Sequence, residues 1–397
     1  MLVIAAPGQG AQTPGFLQPW LELPGFADQL AAWSDLAGCD LIRYGTTASA
    51  EEITDTAIAQ PLLVAAAIAV ADALGGGLEQ TRRQAGAAAG HSVGELAAGV
   101  IGGVIKPADA MRLVAVRGGA MAKTAAAEPT GMTAVLGGDE AEVLAAIEAH
   151  GLTPANINGA GQIVAAGTRE QLAAFAAEPP AGARLRPLPV AGAFHTRHME
   201  PAVTALREAA AGIEANEPEI VVLSNRDGAA VRSGSDWLDR IINQVSAPVR
   251  WNLCMRTMSA LGVTALIELT PAGTLTGLAR RALPGVALAA VKTPADLDAA
   301  RALIAQHGTP DPHEDAHAPE WRLLVAPQDG TFRAGDGTAA PGAMISPGTA
   351  LGHVQVRSGQ HAISPAFPAR ILEWLVEDGD PVKPGQPLVR LQPEPAG

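Results

Sequence analysis

Residues 85–104, AGAAAGHSVGELAAGVIGGV, decide the fold and hold the first candidate for chemistry. The small residues of 85–90 predict a short buried strand, and residues 93–104 predict a helix. Between them, residues 90–94 form the pattern G-x-S-x-G, which has a catalytic meaning when it joins a strand to a helix. Its glycines permit a tight turn that projects the serine hydroxyl. Ser92 is therefore the candidate nucleophile, and the alternative is a structural turn with an exposed serine.

Strands and helices alternate on both sides of this segment. Pro107 favours a helix start, because proline is tolerated in the first helical turn. An alternation of this kind predicts an α/β fold. The predicted strands are 2–6, 220–223 and 265–269, and the predicted helices are 60–74, 107–127, 237–245 and 274–282.

The segment 130–190 has a different character. Its elements follow the order strand, helix, strand, strand, helix, strand, which predicts an inserted ferredoxin-like subdomain. The predicted strands are 133–136, a short strand at Ile157, 163–166 and 184–190, and the predicted helices are 139–150 and 169–177.

The last quarter of the chain is a separate unit. Residues 306–320 are polar and rich in proline and histidine, which indicates a linker between a first domain at 1–305 and a second at 321–395. The irregular histidine spacing favours a solvated linker over a metal site. Residues 342–351 and 379–388 share a Pro-Gly pair and form an internal repeat, so the second domain is predicted to be all-β with two similar halves.

Composition limits the classes of function. The formal net charge of −13 makes the chain a poor general binder of nucleic acid. Cys39 and Cys254 lie far apart, which predicts buried free thiols rather than a disulfide or a metal site. The N-terminus lacks a signal-peptide pattern, and the apolar run 62–71 is about half a membrane span. We therefore expect a cytoplasmic protein without a membrane segment or a bound metal.

A serine nucleophile needs a base, and the chain contains nine histidines. His91 adjoins the serine, and its side chain is expected to point away. His195 follows a predicted strand, and such positions border the cleft of an α/β sheet. His198 competes with it, since either residue could instead cap the next helix. The pattern favours His195 and leaves His198 open.

The loop after the first strand, residues 8–12, is GQGAQ. A dinucleotide-binding fingerprint would need glycine where Thr13 stands, so that interpretation is weak. The alternative is an oxyanion hole, in which the backbone N–H near Gln9 is one donor. The N–H of Val93, directly after the nucleophile, would be the second.

Arg117 lies on an otherwise apolar predicted helix, without an acidic residue at helical spacing. A buried guanidinium without a partner is costly, so either a distant carboxylate or the substrate must supply the charge. Arginine binds a carboxylate through two parallel hydrogen bonds. Gly118 and Gly119 are expected to leave room for such a ligand. A structural ion pair is the alternative.

Together these motifs resemble the malonyl-CoA:acyl carrier protein transacylases of fatty acid synthesis. The similarity covers about residues 1–305 and implies an acyltransferase fold, with a large α/β-hydrolase-like subdomain and the small ferredoxin-like one. The matching segments are the loop 9–12, the nucleophile motif 90–95, Arg117, the histidine motif 193–196, Asn243-Gln244 with the following segment 248–251, and residues 156–162 and 271–275.

The resemblance also implies roles for individual residues. His195 rather than His198 is the base, and a backbone carbonyl near Gln244 orients it in place of a third carboxylate. Phe194 corresponds to a bulky residue that disfavours an α-methyl branch, which predicts malonyl over methylmalonyl. Asn158 and Gln162 are implied to bind substrate.

The implied reaction moves malonyl from malonyl-CoA to the phosphopantetheine thiol of acyl carrier protein, through a malonyl-serine, in fatty acid or polyketide synthesis. It requires no bound cofactor and no metal. Because acyl carrier proteins are acidic, we expect an arginine patch, with Arg280 and Arg281 as candidates. The alternatives are a serine esterase or thioesterase that hydrolyses acyl-CoA, and a non-catalytic carrier or scaffold subunit.

The halves of the C-terminal domain resemble biotinyl- or lipoyl-carrier domains. Such domains attach their group to a lysine in the turn between the halves. Here that turn, 356–361, reads VRSGQH, and Lys383 in the second half is the lysine of this domain. We therefore expect a degenerate carrier fold without biotin or lipoate, which serves as a docking or stabilising appendage.

Overall fold

The computed structural model describes residues 1–309, 321–335, 339–356 and 359–393. The chain divides into two compact units, Met1–Pro310 and Asp311–Gly397. Most of the predicted linker, residues 310–320, lies outside the described residues.

A five-stranded parallel sheet forms the centre of the first unit, in the strand order β7-β2-β1-β8-β9. The central strand β1 is fully buried, as expected for a parallel sheet covered by helices on both faces. Ala6 at the end of β1 pairs with Gly90 at the end of β2, so the loops that follow both strands begin side by side. The strands are β1 Leu2–Ala6, β2 Ala87–Gly90, β7 Val221–Leu223, β8 Ala265–Glu268 and β9 Ala287–Ala290.

Helices surround this sheet, and the predicted ones at 60–74, 107–127 and 274–282 are present. By length and composition α3 could cross a membrane, but 78% of its apolar window is buried inside the protein, so it is a core helix. Their bounds are α1 Phe26–Ala37, α2 Leu41–Thr46, α3 Thr56–Gly75, α4 Leu78–Gln84, α5 Gly94–Ile101, α6 Pro107–Ala127, α9 Glu200–Ala210, α10 Gly234–Asn243, α11 Trp251–Ala260, α12 Thr274–Ala282 and α13 Leu297–His307.

The inserted subdomain is a four-stranded antiparallel sheet in the order β4-β5-β3-β6. Two helices pack on it, and this is the ferredoxin-like arrangement that the element order predicts. Its own small core contains Val135, Ile147 and Phe175. Its elements are β3 Thr130–Gly137, α7 Glu140–Ala149, β4 Thr153–Gly159, β5 Gln162–Thr168, α8 Arg169–Ala177 and β6 Ala183–Pro187.

Strand β6 ends at Pro187, earlier than the predicted strand 184–190. His195 therefore lies in the loop after an edge strand of the small subdomain, and the prediction that it stands at the end of a strand was wrong. A second connection joins the subdomains, because the N–H of Ile157 donates to the carbonyl of Val249 at 2.9 Å and the N–H of Val249 donates to that of Ala155 at 2.8 Å.

The second unit is all-β, as predicted, with two four-stranded sheets in the orders β10-β17-β15-β12 and β14-β13-β11-β16. The repeated halves make equivalent hydrogen bonds: the N–H of Gly342 donates to the carbonyl of Ile371, and that of Gly379 to Phe332. Both glycines have positive φ, 91° and 96°. The strands are β10 Arg322–Val325, β11 Gly330–Ala334, β12 Met344–Ile345, β13 Gly352–Val356, β14 Gly359–Ile363, β15 Ala369–Trp374, β16 Pro381–Val382 and β17 Pro387–Pro393.

Two further expectations concern the turn that would carry a prosthetic group and the two cysteines. Residues 357 and 358, in the turn that would carry a prosthetic group, lie outside the described residues. Cys39 and Cys254 are both free thiols. Cys254 is buried as predicted, but Cys39 is only partly buried, because it follows the last turn of α1 near the surface.

Candidate active site

Ser92 lies in a strained turn between β2 and α5. Its φ of +53° is in the left-handed region, where a residue with a side chain is uncommon. The turn is so tight that a Cβ on Gly90 would lie 2.0 Å from the carbonyl carbon of Gly94, and a Cβ on Gly94 would lie 2.3 Å from the carbonyl oxygen of Ala6. The two glycines of the motif are therefore required by close backbone contacts, and the turn projects the hydroxyl of Ser92.

His195 is the histidine that meets this hydroxyl. Its Nε2 lies 2.7 Å from Oγ of Ser92, and its Nδ1 lies 2.8 Å from the backbone carbonyl oxygen of Gln244. Because a carbonyl only accepts, Nδ1 carries the proton and Nε2 accepts from the serine. The competitor His198 instead bonds the carboxylate of Glu128 at 2.7 Å. His91 points to Oδ1 of Asn158 at 2.8 Å, so neither of these histidines contacts the serine hydroxyl.

The surroundings of His195 keep its ring neutral. Its side chain is buried, and burial together with the nearby positive charge of Arg117 lowers its pKa to about 3, against the opposing hydrogen bond to Gln244. An imidazole that is neutral at physiological pH is free to take a proton. The site therefore holds a serine with a poised base and a neutral carbonyl behind that base.

Arg117 lies on α6 beside this pair, with 1% of its surface exposed. Its Nη1 donates to Oε1 of Gln60 at 2.5 Å, and its Nη2 donates to Oε1 of Gln244 at 2.8 Å. Nη2 also lies 3.4 Å from Oγ of Ser92. In the described part of the chain its Nε has no hydrogen-bond partner.

The two strong acceptors of Arg117 are uncharged amides, so its charge is not neutralised by direct contact with them. Burial lowers the pKa of Arg117 to about 10, although the carboxylate of Glu95 acts in the opposite direction. The guanidinium remains charged at neutral pH and keeps donors available for an anion. The expected role of Gly118 was wrong: a Cβ there would lie 2.8 Å from the carbonyl oxygen of Thr56, so this glycine allows α6 to pack closely on α3.

The two residues predicted to form the oxyanion hole both lie at the cavity beside the serine. Gln9 and Val93 both line the cavity, and among the described residues neither backbone N–H donates to another protein group. The N–H of Ser92 itself is occupied, because it donates to Oδ1 of Asn225 at 2.7 Å. The N–H groups of Gln9 and Val93 thus remain candidates to bind a developing oxyanion.

The cavity at the serine has a volume of about 80 Å³. It is far smaller than the roughly 300–1,000 Å³ of pockets for drug-sized ligands. Phe194 narrows it beside the base, and a space of this size suits a short acyl group. Its lining residues are Gln9, Gln60, His91, Ser92, Val93, Met121, Met132, Asn156, Leu188, Val190, Phe194 and His195.

Two of the implied substrate contacts are not at this cavity. Gln162 begins β5 opposite Leu136, and Asn158 reaches the site only through its bond to His91. Asn156, in the same strand, is a lining residue instead, and its buried Oδ1 has no partner among the described residues. Within those residues there is also no group of three or more potential metal ligands.

Sequence reasoning missed the polar residues that support this centre. Gln60 and Glu95 are buried on α3 and α5, and Asn225 follows β7. The available signal was weak. Gln60 and Glu95 are each a single polar residue beside an apolar run, a position that a core residue with a satisfied side chain also occupies, and Asn225 lies in the polar run 224–227, which is typical of a surface turn.

Comparison with known proteins shows the family to which this chain belongs. Residues 6–301 match the model of the acyl transferase domain. The curated malonyl CoA-acyl carrier protein transacylase of Mycobacterium tuberculosis is 55% identical over 298 residues, which cover 75% of this chain and 98% of that protein.

Solved structures agree. The crystal structure of MCAT from Mycobacterium tuberculosis superposes with a TM-score of 0.72 at 54% identity, and the match covers 75% of this chain and 99% of that one. A malonyl-transacylase solved in complex with a type II PKS acyl-carrier protein has a TM-score of 0.70 at 31% identity, with 76% and 99% covered. This chain belongs to the acyl transferase domain family, among the malonyl CoA-acyl carrier protein transacylases.

Proposed function

We propose that this protein transfers a malonyl group from malonyl-CoA to the phosphopantetheine thiol of an acyl carrier protein, in fatty acid biosynthesis. The observation that carries this proposal is the 2.7 Å contact between Ser92 and His195 beside a buried arginine whose close partners are neutral amides. A hydrolase of uncharged acyl groups has no need of that arginine. The similarity to named transacylases over nearly their whole length supports the same conclusion.

In the first half-reaction, Nε2 of His195 takes the proton of Ser92, and Oγ attacks the thioester carbonyl carbon of malonyl-CoA. The carbonyl oxygen becomes negative and is held by the N–H groups of Gln9 and Val93. The C–S bond then breaks. The coenzyme A sulfur leaves with the proton from His195, and a malonyl ester remains on the serine.

In the second half-reaction, His195 takes the proton of the carrier's pantetheine thiol. The sulfur attacks the ester carbonyl, the C–O bond to Ser92 breaks, and the serine oxygen recovers the proton from His195. The carbonyl of Gln244 stabilises the imidazolium formed in each half-reaction less than a carboxylate would. The lowered pKa of His195 agrees with this weak stabilisation, because the resting ring is neutral and carries a charge only during each half-reaction.

Arg117 supplies the selectivity for a diacid. Its Nη2 lies 3.4 Å from Oγ of Ser92, so a malonyl group esterified there carries its free carboxylate close to the guanidinium. A guanidinium binds a carboxylate through two parallel hydrogen bonds. Phe194 lines the same small cavity, and its ring leaves little space for an α-methyl branch, which favours malonyl over methylmalonyl.

The decisive experiment is intact-mass analysis after exposure to malonyl-CoA. We expect one malonyl adduct on Ser92, which disappears when holo-acyl carrier protein is added and appears on the carrier. The variant Ser92→Ala should gain no adduct. Continued release of coenzyme A without the carrier, beyond about one equivalent per enzyme, would instead support a thioesterase. The absence of an adduct on the native chain would support a scaffold subunit.

We further propose a cytoplasmic location and a second unit that carries no biotin or lipoate. Lys383 lies in the turn after β16 and not in the hairpin between β13 and β14, where biotinyl- and lipoyl-carrier domains hold their lysine. Intact mass of the chain purified from its native cell tests this, since a prosthetic group would add its own mass to the C-terminal unit.

A further inference from the structure

The buried carboxylate of Glu95 lies behind the catalytic pair and has no part in the reaction described above. Glu95 is 1% exposed in the first turn of α5. One of its oxygens, Oε2, accepts from Nε2 of Gln244 at 2.5 Å and from the N–H of Asn225 at 3.2 Å. The other, Oε1, has no hydrogen-bond partner among the described residues.

The Gln244 amide links this carboxylate to the reacting groups. Its Nε2 also donates to the carbonyl oxygen of Ser92 at 3.1 Å, while its Oε1 accepts from Nη2 of Arg117 at 2.8 Å. The backbone carbonyl of the same residue accepts from His195. One residue therefore touches the nucleophile's backbone, the arginine and the base.

Only one orientation of this amide satisfies its neighbours. If it turned by half a rotation, its oxygen would face Oε2 of Glu95 and its nitrogen would face Nη2 of Arg117. Both contacts would then oppose like groups, acceptor to acceptor and donor to donor. Nε2 of Gln244 also lies 3.4 Å from Oδ1 of Asn225, but the contact to Glu95 is the shortest of its three contacts and the one made to an acidic side chain. Glu95 therefore helps to present the amide oxygen to Arg117.

We propose that Glu95 is a positioning residue, which holds the Gln244 side-chain amide so that it fixes the Arg117 guanidinium beside Ser92. The inference rests on the proposed function of this same site and names the residue that keeps its carboxylate-binding group in place. Burial raises the pKa of Glu95 to about 7, but the oxygen that faces Gln244 accepts in either protonation state, so the role needs no titration.

A purely structural role is the alternative, because an acidic residue in the first turn of a helix also stabilises the helix dipole. Two variants separate the roles. Glu95→Met preserves most of the volume but removes the acceptor. Glu95→Gln retains an oxygen that accepts from Gln244 and Asn225 and is the matched control.

The assay measures kcat/KM for transfer of malonyl and of acetyl from coenzyme A to holo-acyl carrier protein. For Glu95→Met we expect the malonyl-to-acetyl ratio to fall about 10- to 100-fold, the effect of losing one well-placed contact to a charged group. Glu95→Gln should restore the ratio to within about threefold. An equal loss of both activities, or a Glu95→Gln ratio as low as that of Glu95→Met, would overturn the positioning role.

A double-mutant cycle checks that the effect passes through Gln244. The variant Gln244→Met keeps the backbone carbonyl that orients His195 and should lower the ratio by itself, which also tests the idea if Glu95→Met does not fold. On that background, Glu95→Met should change the ratio by less than about twofold, because the residue it acts through is gone. Additive effects, or an unchanged ratio in Gln244→Met, would refute it. Failure of the native protein to transfer malonyl would refute the proposed function instead.

Discussion

Replacement of Arg117 by alanine tests the most distinctive feature of the site. The side chain offers a buried, charged fork whose Nη2 is 3.4 Å from the nucleophile oxygen. Two hydrogen bonds to a substrate carboxylate, partly offset by the cost of removing that carboxylate from water, are worth about 3 kcal/mol. The malonyl preference should therefore fall by roughly 10²-fold.

The variant also has a cost unrelated to substrate. It leaves the side-chain oxygens of Gln60 and Gln244 without their donor, at about 1–3 kcal/mol of folding stability for each buried group. The ratio of malonyl to acetyl transfer does not depend on this loss of stability, because both substrates are processed by the same folded enzyme.

The assay is therefore competition between malonyl-CoA and acetyl-CoA for one holo-carrier, read by mass of the acylated carrier. Arg112→Ala is the control, since that arginine lies on the same helix but is exposed and pairs with Asp109. We expect Arg117→Ala to lose malonyl transfer while acetyl transfer is largely kept. Equal losses for the two acyl groups would refute the assigned role of the guanidinium.

Three further predictions follow from the structure. Because the pKa of His195 is lowered to about 3, kcat/KM for acylation should show no inflection near pH 6.5, and a stopped-flow pH profile with such an inflection would contradict the assignment. Gly94→Ala should reduce the melting temperature and abolish activity, because its Cβ would lie 2.3 Å from the carbonyl oxygen of Ala6. Gly119→Ala is the matched control, since a Cβ there has no atom within 4 Å, and it should stabilise α6 by up to about 1 kcal/mol in a thermal melt. A chain truncated after residue 309 should keep transfer activity within about threefold, since it spans the full length of its relatives; a loss beyond about tenfold would assign the second unit a catalytic role.

The same depressed pKa has a consequence for stability. A histidine whose folded-state pKa lies below its unfolded value binds its proton less readily in the folded protein. The free energy of unfolding therefore declines as the pH falls from about 6.5 towards 3, because the unfolded chain gains the proton first. Burial also lowers the pKa of His91, which adds a contribution of the same sign.

Local sequence was sufficient for the nucleophile and for most of the elements, although not for β9, α11 or the end of β6. The turn at Ser92 is encoded by Gly90 and Gly94, whose missing side chains are what the close backbone contacts require, so a short window contains the whole signal. The long apolar run 62–71 likewise predicted α3, and Pro107 predicted the start of α6, because burial and helix starts depend on neighbouring residues. The ferredoxin-like insertion could be predicted from element order alone.

The support of the site could not be predicted in this way. Gln244 meets Ser92, Glu95 and Arg117 across more than a hundred positions of chain, and the choice of which amide atom faces which neighbour exists only once those side chains surround it. The same holds for His195, whose loop follows an edge strand of the small subdomain and is held to the large one by hydrogen bonds to the carbonyls of Gln244 and Val245. Sequence determined which groups are present and where the chain must turn, because those follow from local sterics and hydrophobicity. Tertiary structure alone decided which polar atoms are buried together, because hydrogen bonds between distant segments depend on the relative placement of whole elements.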